Sequence, residues 1–165
     1  MKPADAYEDA VDLLDADHKA VKKMFIDFNA LCEDGATAGA KRRIADRICE
    51  ALLVHAQIEE ELFYPAVRAA TGDEALIEEA IDEHAQARET IARIQAMDES
   101  DDAFDQTVKL LGELIDAHVL EEREQMFLEA RQSRADLRGL AVQLFERRNA
   151  LKAVQPVRQP KKVNA

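Results

Sequence analysis

The sequence predicts an all-α protein: an up-down-up-down four-helix bundle with an additional C-terminal helix. Three observations carry that prediction. Only five of the 165 residues are glycine, nearly half are hydrophobic and about a third are charged, and no segment alternates polar and apolar residues with period two. Four long stretches repeat apolar residues in steps of three and four, the spacing of one helix face, with short polar breaks between them. The two halves of the chain also resemble each other. In each, a helix with one histidine on its apolar seam precedes a helix carrying H-x-x-x-E.

The first helix is expected from about Ala4 to Cys32, with Pro3 suited to its start and the seam Tyr7, Val11, Leu14, His18, Val21, Phe25, Phe28. Gly35 is the expected stop. The second runs from about Ala40 to Tyr64 along Ile44, Ile48, Leu52, His55, Glu59 and Leu62, and Pro65 is expected to end or kink it. After a break at Thr71-Gly72-Asp73, where Asp73 or Thr71 can cap, the third spans about Glu74 to Met97 through Ile77, Ile81, His84, Arg88, Ile91 and Ile94. The fourth covers about Asp102 to Arg131, with Val108, Leu111, Ile115, His118 and Glu122 on its seam. Residues 1–132 thus form the bundle. An amphipathic helix within 133–152, bearing Leu137, Leu140, Ala141, Leu144 and Phe145, either lies on the bundle or serves as an oligomer contact. Residues 153–165 form a basic, proline-bearing tail that reads as disordered.

Charge and composition exclude several classes. The net charge is −12, and the four basic residues of 152–165 have no acid among them, so the remainder carries −16. Such a surface suits cations and argues against nucleic acid or an anionic membrane as partner. No apolar run approaches the roughly 20 residues of a membrane span, and the N-terminal residues lack the apolar core of a signal peptide; the expected compartment is the cytoplasm. Cys32 and Cys49 sit at helical spacing among apolar neighbours and read as small core residues rather than a redox pair. A nucleophilic triad, a phosphate-binding glycine loop and zinc-type cysteine pairs are all missing, which removes hydrolase, kinase and zinc-finger readings.

The chemistry lies in His55-x-x-x-Glu59 and His118-x-x-x-Glu122, each placing an imidazole and a carboxylate one turn apart on a single helix face. Helix rise tests whether they meet. His18 lies about 14 residues, roughly 21 Å, before the end of the first helix, and His55 about 15 residues, roughly 22 Å, into the second. Counted the same way, His84 and His118 fall in that layer too. All four histidines of the chain therefore share one level near mid-bundle. A lone seam histidine is usually a hydrogen-bonded core residue. Four of them with two glutamates would cost several kcal/mol per buried ion, against a total stability of about 5–15 kcal/mol. A pair of cations removes the conflict. Imidazole and carboxylate without thiolate favour Fe or Mn, with Zn possible and Cu less so.

At these residues the sequence resembles the hemerythrin-like, or HHE cation-binding, family. The resemblance rests on Asp17-His18, His55-x-x-x-Glu59-Glu60 with Glu61-Leu62-Phe63-Tyr64-Pro65 behind it, Glu83-His84, and His118-x-x-x-Glu122. It implies a four-helix bundle holding two Fe ions in an oxo- or hydroxo-bridged, non-haem di-iron centre, with His18, His55, Glu59, His84, His118 and Glu122 as ligands. Oxygen-carrying members have a second histidine on the third helix where this chain has Arg88, which cannot ligate. Their fourth-helix carboxylate follows its histidine by five residues rather than four. What remains is two histidines per metal and two shared glutamates.

Around that set, Arg88 either pairs with Glu60, Glu121 or another acid, or steers an anionic ligand such as peroxide or superoxide. Glu60 and Glu121 are placed to orient imidazoles. Tyr64 is either a packed aromatic or a phenol that donates a proton or ligates iron. The implied function is binding of, and reaction with, O2, peroxide or nitric oxide, including a catalase-like removal of peroxide. The alternative is an iron or oxygen sensor, or an iron storage or repair protein, without turnover. The expected state is a monomer or weak homo-oligomer.

Overall fold

A computed structural model describes residues 7–154. Helix α1 (Ala10–Glu33) begins six residues later than the periodicity suggests, because the Asp9 carboxylate accepts the Asp12 N–H at 2.9 Å and caps it there. Helix α2 (Ala38–Ile58) starts from Thr37, whose hydroxyl accepts from Ala40 N. It runs without a break through a π turn (Glu59–Phe63) into α3 (Tyr64–Thr71). Gly72 then closes α3 in the left-handed conformation, φ +70°, which glycine adopts at little cost. Of the two candidate caps, Asp73 supplies the one for α4 (Glu74–Ala96). Helix α5 (Phe104–Glu121) passes through a second π turn (Glu122–Met126) into α6 (Phe127–Gln132). Helix α7 (Leu137–Val154) begins four residues after its expected start, with the Asp136 carboxylate accepting from Gly139 N. The tail expected beyond it lies, from residue 155, outside the described residues.

Pro65 does not end its helix. It stands at the start of α3, where a missing N–H is tolerated, and the π turn before it sends the Tyr64 N–H back five residues to the Glu59 carbonyl. Proline is not the cause, since the second π turn has none and makes the same bond, from Phe127 N to the Glu122 carbonyl. What the two turns share is a buried glutamate of an H-x-x-x-E motif as first residue. A π turn carries one extra residue per revolution, so the residue five places on, Tyr64 or Phe127, returns beneath that glutamate.

The helices pair as α1 with α2 and α4 with α5, the bundle closes through α1–α5 and α2–α4, and α7 lies across α1 and α2. The interior is divided. One apolar cluster joins Val11, Leu14, Ile58, Phe63, Ile77 and Phe127 with Leu140 and Leu144 of α7. The other joins Phe25, Phe28, Ile48, Leu52, Ile91, Phe104 and Leu111. Cys49 is buried in this second cluster and Cys32 packs at its edge; they form no disulfide. Between the clusters lies the layer of histidines and glutamates.

Arg42 closes the far end of the second cluster. Only 6 % exposed, it donates to the carbonyls of Ile94, Gln95 and Met97 at the end of α4 and lies against the Phe104 ring. A cation on those last carbonyls satisfies acceptors that the helix leaves orphaned. Arg42→Ala is expected to cost about 2–3 kcal/mol, or about 4–12 °C in Tm for a chain of this size. Thermal melts check the first part. Metal content unchanged from wild type checks that the effect is confined to this end.

Candidate metal centre

Each histidine of the central layer is buried, and Glu59 and Glu122 are 0 % and 2 % exposed. The structure brings the six residues together as two sets, His18–His55–Glu59–Glu122 and Glu59–His84–His118–Glu122, in which one ligand atom from each residue lies within 4.8 Å of the others. Both glutamates belong to both sets.

The outward nitrogens explain which ones face inward. His55 Nδ1 donates to Asp17 at 3.1 Å, His84 Nδ1 to Glu60 at 3.1 Å and His118 Nδ1 to Glu83 at 3.0 Å. A carboxylate at Nδ1 keeps a proton on that nitrogen, so Nε2 is the one left facing into the layer. His18 has a looser partner, Asp15 at 3.9 Å. On the inside, His18 Nε2 and His55 Nε2 are 3.0 Å apart. His118 Nε2, both Glu59 oxygens and Glu122 Oε1 have no hydrogen-bond partner among the described residues. His55 Nε2 does come within 2.9 Å of Glu59 Oε1, and His118 Nε2 within 3.0 Å of Glu122 Oε2, but neither approach has hydrogen-bond alignment. Buried polar atoms are rarely left so. Either set could hold a cation, which would supply what they lack.

Titration in the metal-free chain reflects the crowding. Burial and the neighbouring Glu59 push Glu122 up to about 7. Glu59 resists the same burial because His55 draws it well below the usual range, and His55 in turn is raised. Burial would lower His118, but the close approach of the Glu122 carboxylate and its charge bring it to about 9. Burial and His55 take His18 down to about 3.

The π turns complete the layer. Tyr64 Oη donates to Glu122 Oε2 at 2.9 Å, and its ring stacks on His84 at 5.4 Å. Its hydroxyl is also 3.2 Å from His84 Nε2. Phe127, its counterpart, stacks on His18 at 5.8 Å. At this position one half carries a phenol and the other a phenyl. Tyr64 is more than a packed aromatic. Arg88 pairs with Glu60, which carries His84, and Glu121 meets Glu83, which carries His118. Asp17 and Glu83 were not assigned this role from the sequence. Their signal is the acid–histidine pair on both α1 and α4, where a residue one position back points sideways to the adjacent helix and so holds that helix's imidazole.

The sequence profile of the hemerythrin HHE cation-binding domain matches residues 9–130. This chain belongs to that family. The matched stretch ends inside α6, so α7 lies beyond it. Among solved structures, the chain is similar to a hemerythrin HHE cation-binding domain-containing protein from Mycobacterium kansasii, at 23 % identity over 88 % of both chains with a TM-score of 0.72. That likeness concerns the fold. A comparison with curated proteins returns no match. The family and the buried cluster together make this hemerythrin-type domain a cation-binding protein. No helix among its described residues is long and apolar enough to cross a membrane.

Proposed function

We propose that the chain is a non-haem di-iron protein that binds and reacts with O2, peroxide or nitric oxide, with His18, His55, Glu59, His84, His118 and Glu122 as ligands. The observation that supports it best is a small apolar cavity of about 20 Å³ against the four histidines, walled by Leu52, Leu53, Ala56, Ala87, Ile91, Ile115 and Val119. That volume holds one molecule about the size of water, which fits a diatomic and excludes an organic substrate. Donors limited to imidazole and carboxylate, with both cysteines elsewhere in the fold, support iron or manganese, and the family supports iron.

Two irons held by these six residues would supply the two electrons of the proposed chemistry. The chain's own residues set its surroundings. The walls of Leu, Ile and Val exclude bulk water. Tyr64 directs its hydroxyl proton at Glu122 Oε2, at the edge of the set that contains His84 and His118. Arg88 lines the same cavity while tied to Glu60, so its charge lies beside any anionic ligand without occupying a coordination position. Arg88→His, which restores an imidazole there, is expected to slow oxidation of the reduced protein by O2 several-fold. Stopped-flow oxidation rates equal to wild type would remove Arg88 from the neighbourhood of the missing ligand.

Metal analysis and an ultraviolet–visible spectrum of protein from iron-supplemented cells, followed by peroxide addition, test the function. Two irons per chain, oxo-bridge absorption and prompt oxygen evolution are expected. Two irons without turnover would move the reading to iron or oxygen sensing, or to iron handling. No iron would overturn it.

A further inference from the structure

Helix α7 lies outside the stretch matched by the family profile, yet it sends one charged side chain into the interior beside the metal centre. Arg148 is 6 % exposed. Its Nη1 donates to Asp17 Oδ1 at 2.6 Å, and the other oxygen of that carboxylate accepts from His55 Nδ1. Its Nη2 reaches the Tyr7 hydroxyl at 3.4 Å, and the guanidinium lies over the rings of Tyr7 and Phe145. The line Arg148–Asp17–His55 therefore runs from the last helix to one imidazole of the cluster. In the opposite half the arginine line, Arg88–Glu60–His84, starts from α4 within the bundle rather than from an added helix. There Glu83, the counterpart of Asp17, carries His118 but faces Glu121 rather than an arginine.

We propose that Arg148 is a positioning residue for His55, and that docking of α7 governs retention of the metal held by His18 and His55 while leaving the His84–His118 metal independent. Arg148 fixes Asp17, which fixes the ring plane and tautomer of His55. When α7 lifts, Asp17 loses its partner and one subsite loosens. Coupling of this kind is reciprocal, so metal in that subsite must also hold α7 down. One half of the centre thereby becomes the half that α7 controls.

The inference rests on the two-metal reading. Fe(II)-loaded protein is challenged anaerobically with a chromogenic Fe(II) chelator, and α7 is followed by hydrogen exchange. In Arg148→Met, one iron is expected to leave about 10–100-fold faster and the other within about twofold of wild type. Metal should slow α7 exchange in wild type and cease to do so in the variant. Arg148→Lys should restore part of the effect. Leu144→Ala, which removes a fully buried α7 anchor and keeps Arg148, should speed loss of the same iron. Arg147→Ala, which breaks only the exposed pair with Glu61, should change nothing. Wild-type release from Arg148→Met, or equal acceleration of both irons, overturns the proposal; if that variant does not fold, the same two outcomes in Leu144→Ala decide. A wild-type chain that holds no iron would instead sink the di-iron reading.

Discussion

Glu122→Gln is expected to raise the stability of the metal-free protein and to remove most of the stability that metal adds. Glu122 and Glu59 are both buried, and the Glu59 oxygens have no hydrogen-bond partner among the described residues. Without a cation the fold holds two carboxylates at close quarters, an arrangement that costs more than pairing returns. A glutamine at 122 is neutral, can still accept from Tyr64, and can donate its amide to Glu59. At pH 8, above the Glu122 value of about 7, the metal-free variant should gain about 2 kcal/mol, or about 4–8 °C in Tm. Loaded at 1,000 times its dissociation constant, wild type gains about 4 kcal/mol per site, and the variant should gain less than half. A metal-free variant less stable than wild type that kept its full metal gain would show that Glu122 is an ordinary core residue. His118→Ala and Glu59→Ala should likewise lose metal-derived stability and metal together.

Metal affinity should climb steeply with pH. A loaded centre needs His118 neutral and Glu122 ionised, whereas the metal-free chain holds them at about 9 and about 7. Between pH 6 and 8 His118 must give up a proton throughout, and Glu122 over the lower half, so apparent affinity should rise about 100-fold or more. The metal-free fold has the opposite trend. A histidine raised to about 9 contributes stability that is complete below about 6.5 and fades as pH rises through 9. A carboxyl raised to about 7 favours the protonated fold, so ionising it between about 4.5 and 7 costs stability. Competition titrations at pH 6, 7 and 8, with proton release followed by an indicator dye, check both signs. Affinity independent of pH would place the metal elsewhere.

Much of this architecture was legible in the sequence because it depends on periodicity and rise alone. Steps of three and four named the seams, and counting residues from each turn put His18, His55, His84 and His118 in one layer. What stayed hidden depends on contacts between distant segments or on backbone detail. Nothing in Glu59–Phe63 or Glu122–Met126 signals a π turn, so the choice between a packed Tyr64 and a phenol facing the site stayed open. Arg88 could be paired with several acids, and only packing selects Glu60. Arg148 comes 131 positions after Asp17, on a helix whose pattern showed an apolar face but not a buried cation. The start of α1 was misjudged because Tyr7 continues the seam although Asp9 caps the helix.

The polar layer has a consequence for cooperativity. It splits the hydrophobic interior, so in the metal-free chain the two apolar halves meet across charged and half-satisfied groups. Their mutual support is weak, and each half is closer to a separate folding unit. Hydrogen exchange of the metal-free protein should therefore show two protection levels, one for amides beside Ile48, Ile91 and Phe104 and one for those beside Val11, Phe63 and Leu144. With both cations bound the two levels should merge; a single level in the metal-free chain would show that the helix backbones alone join the halves. In that sense bound metals would act as rivets, turning two weakly joined units into one all-or-none structure.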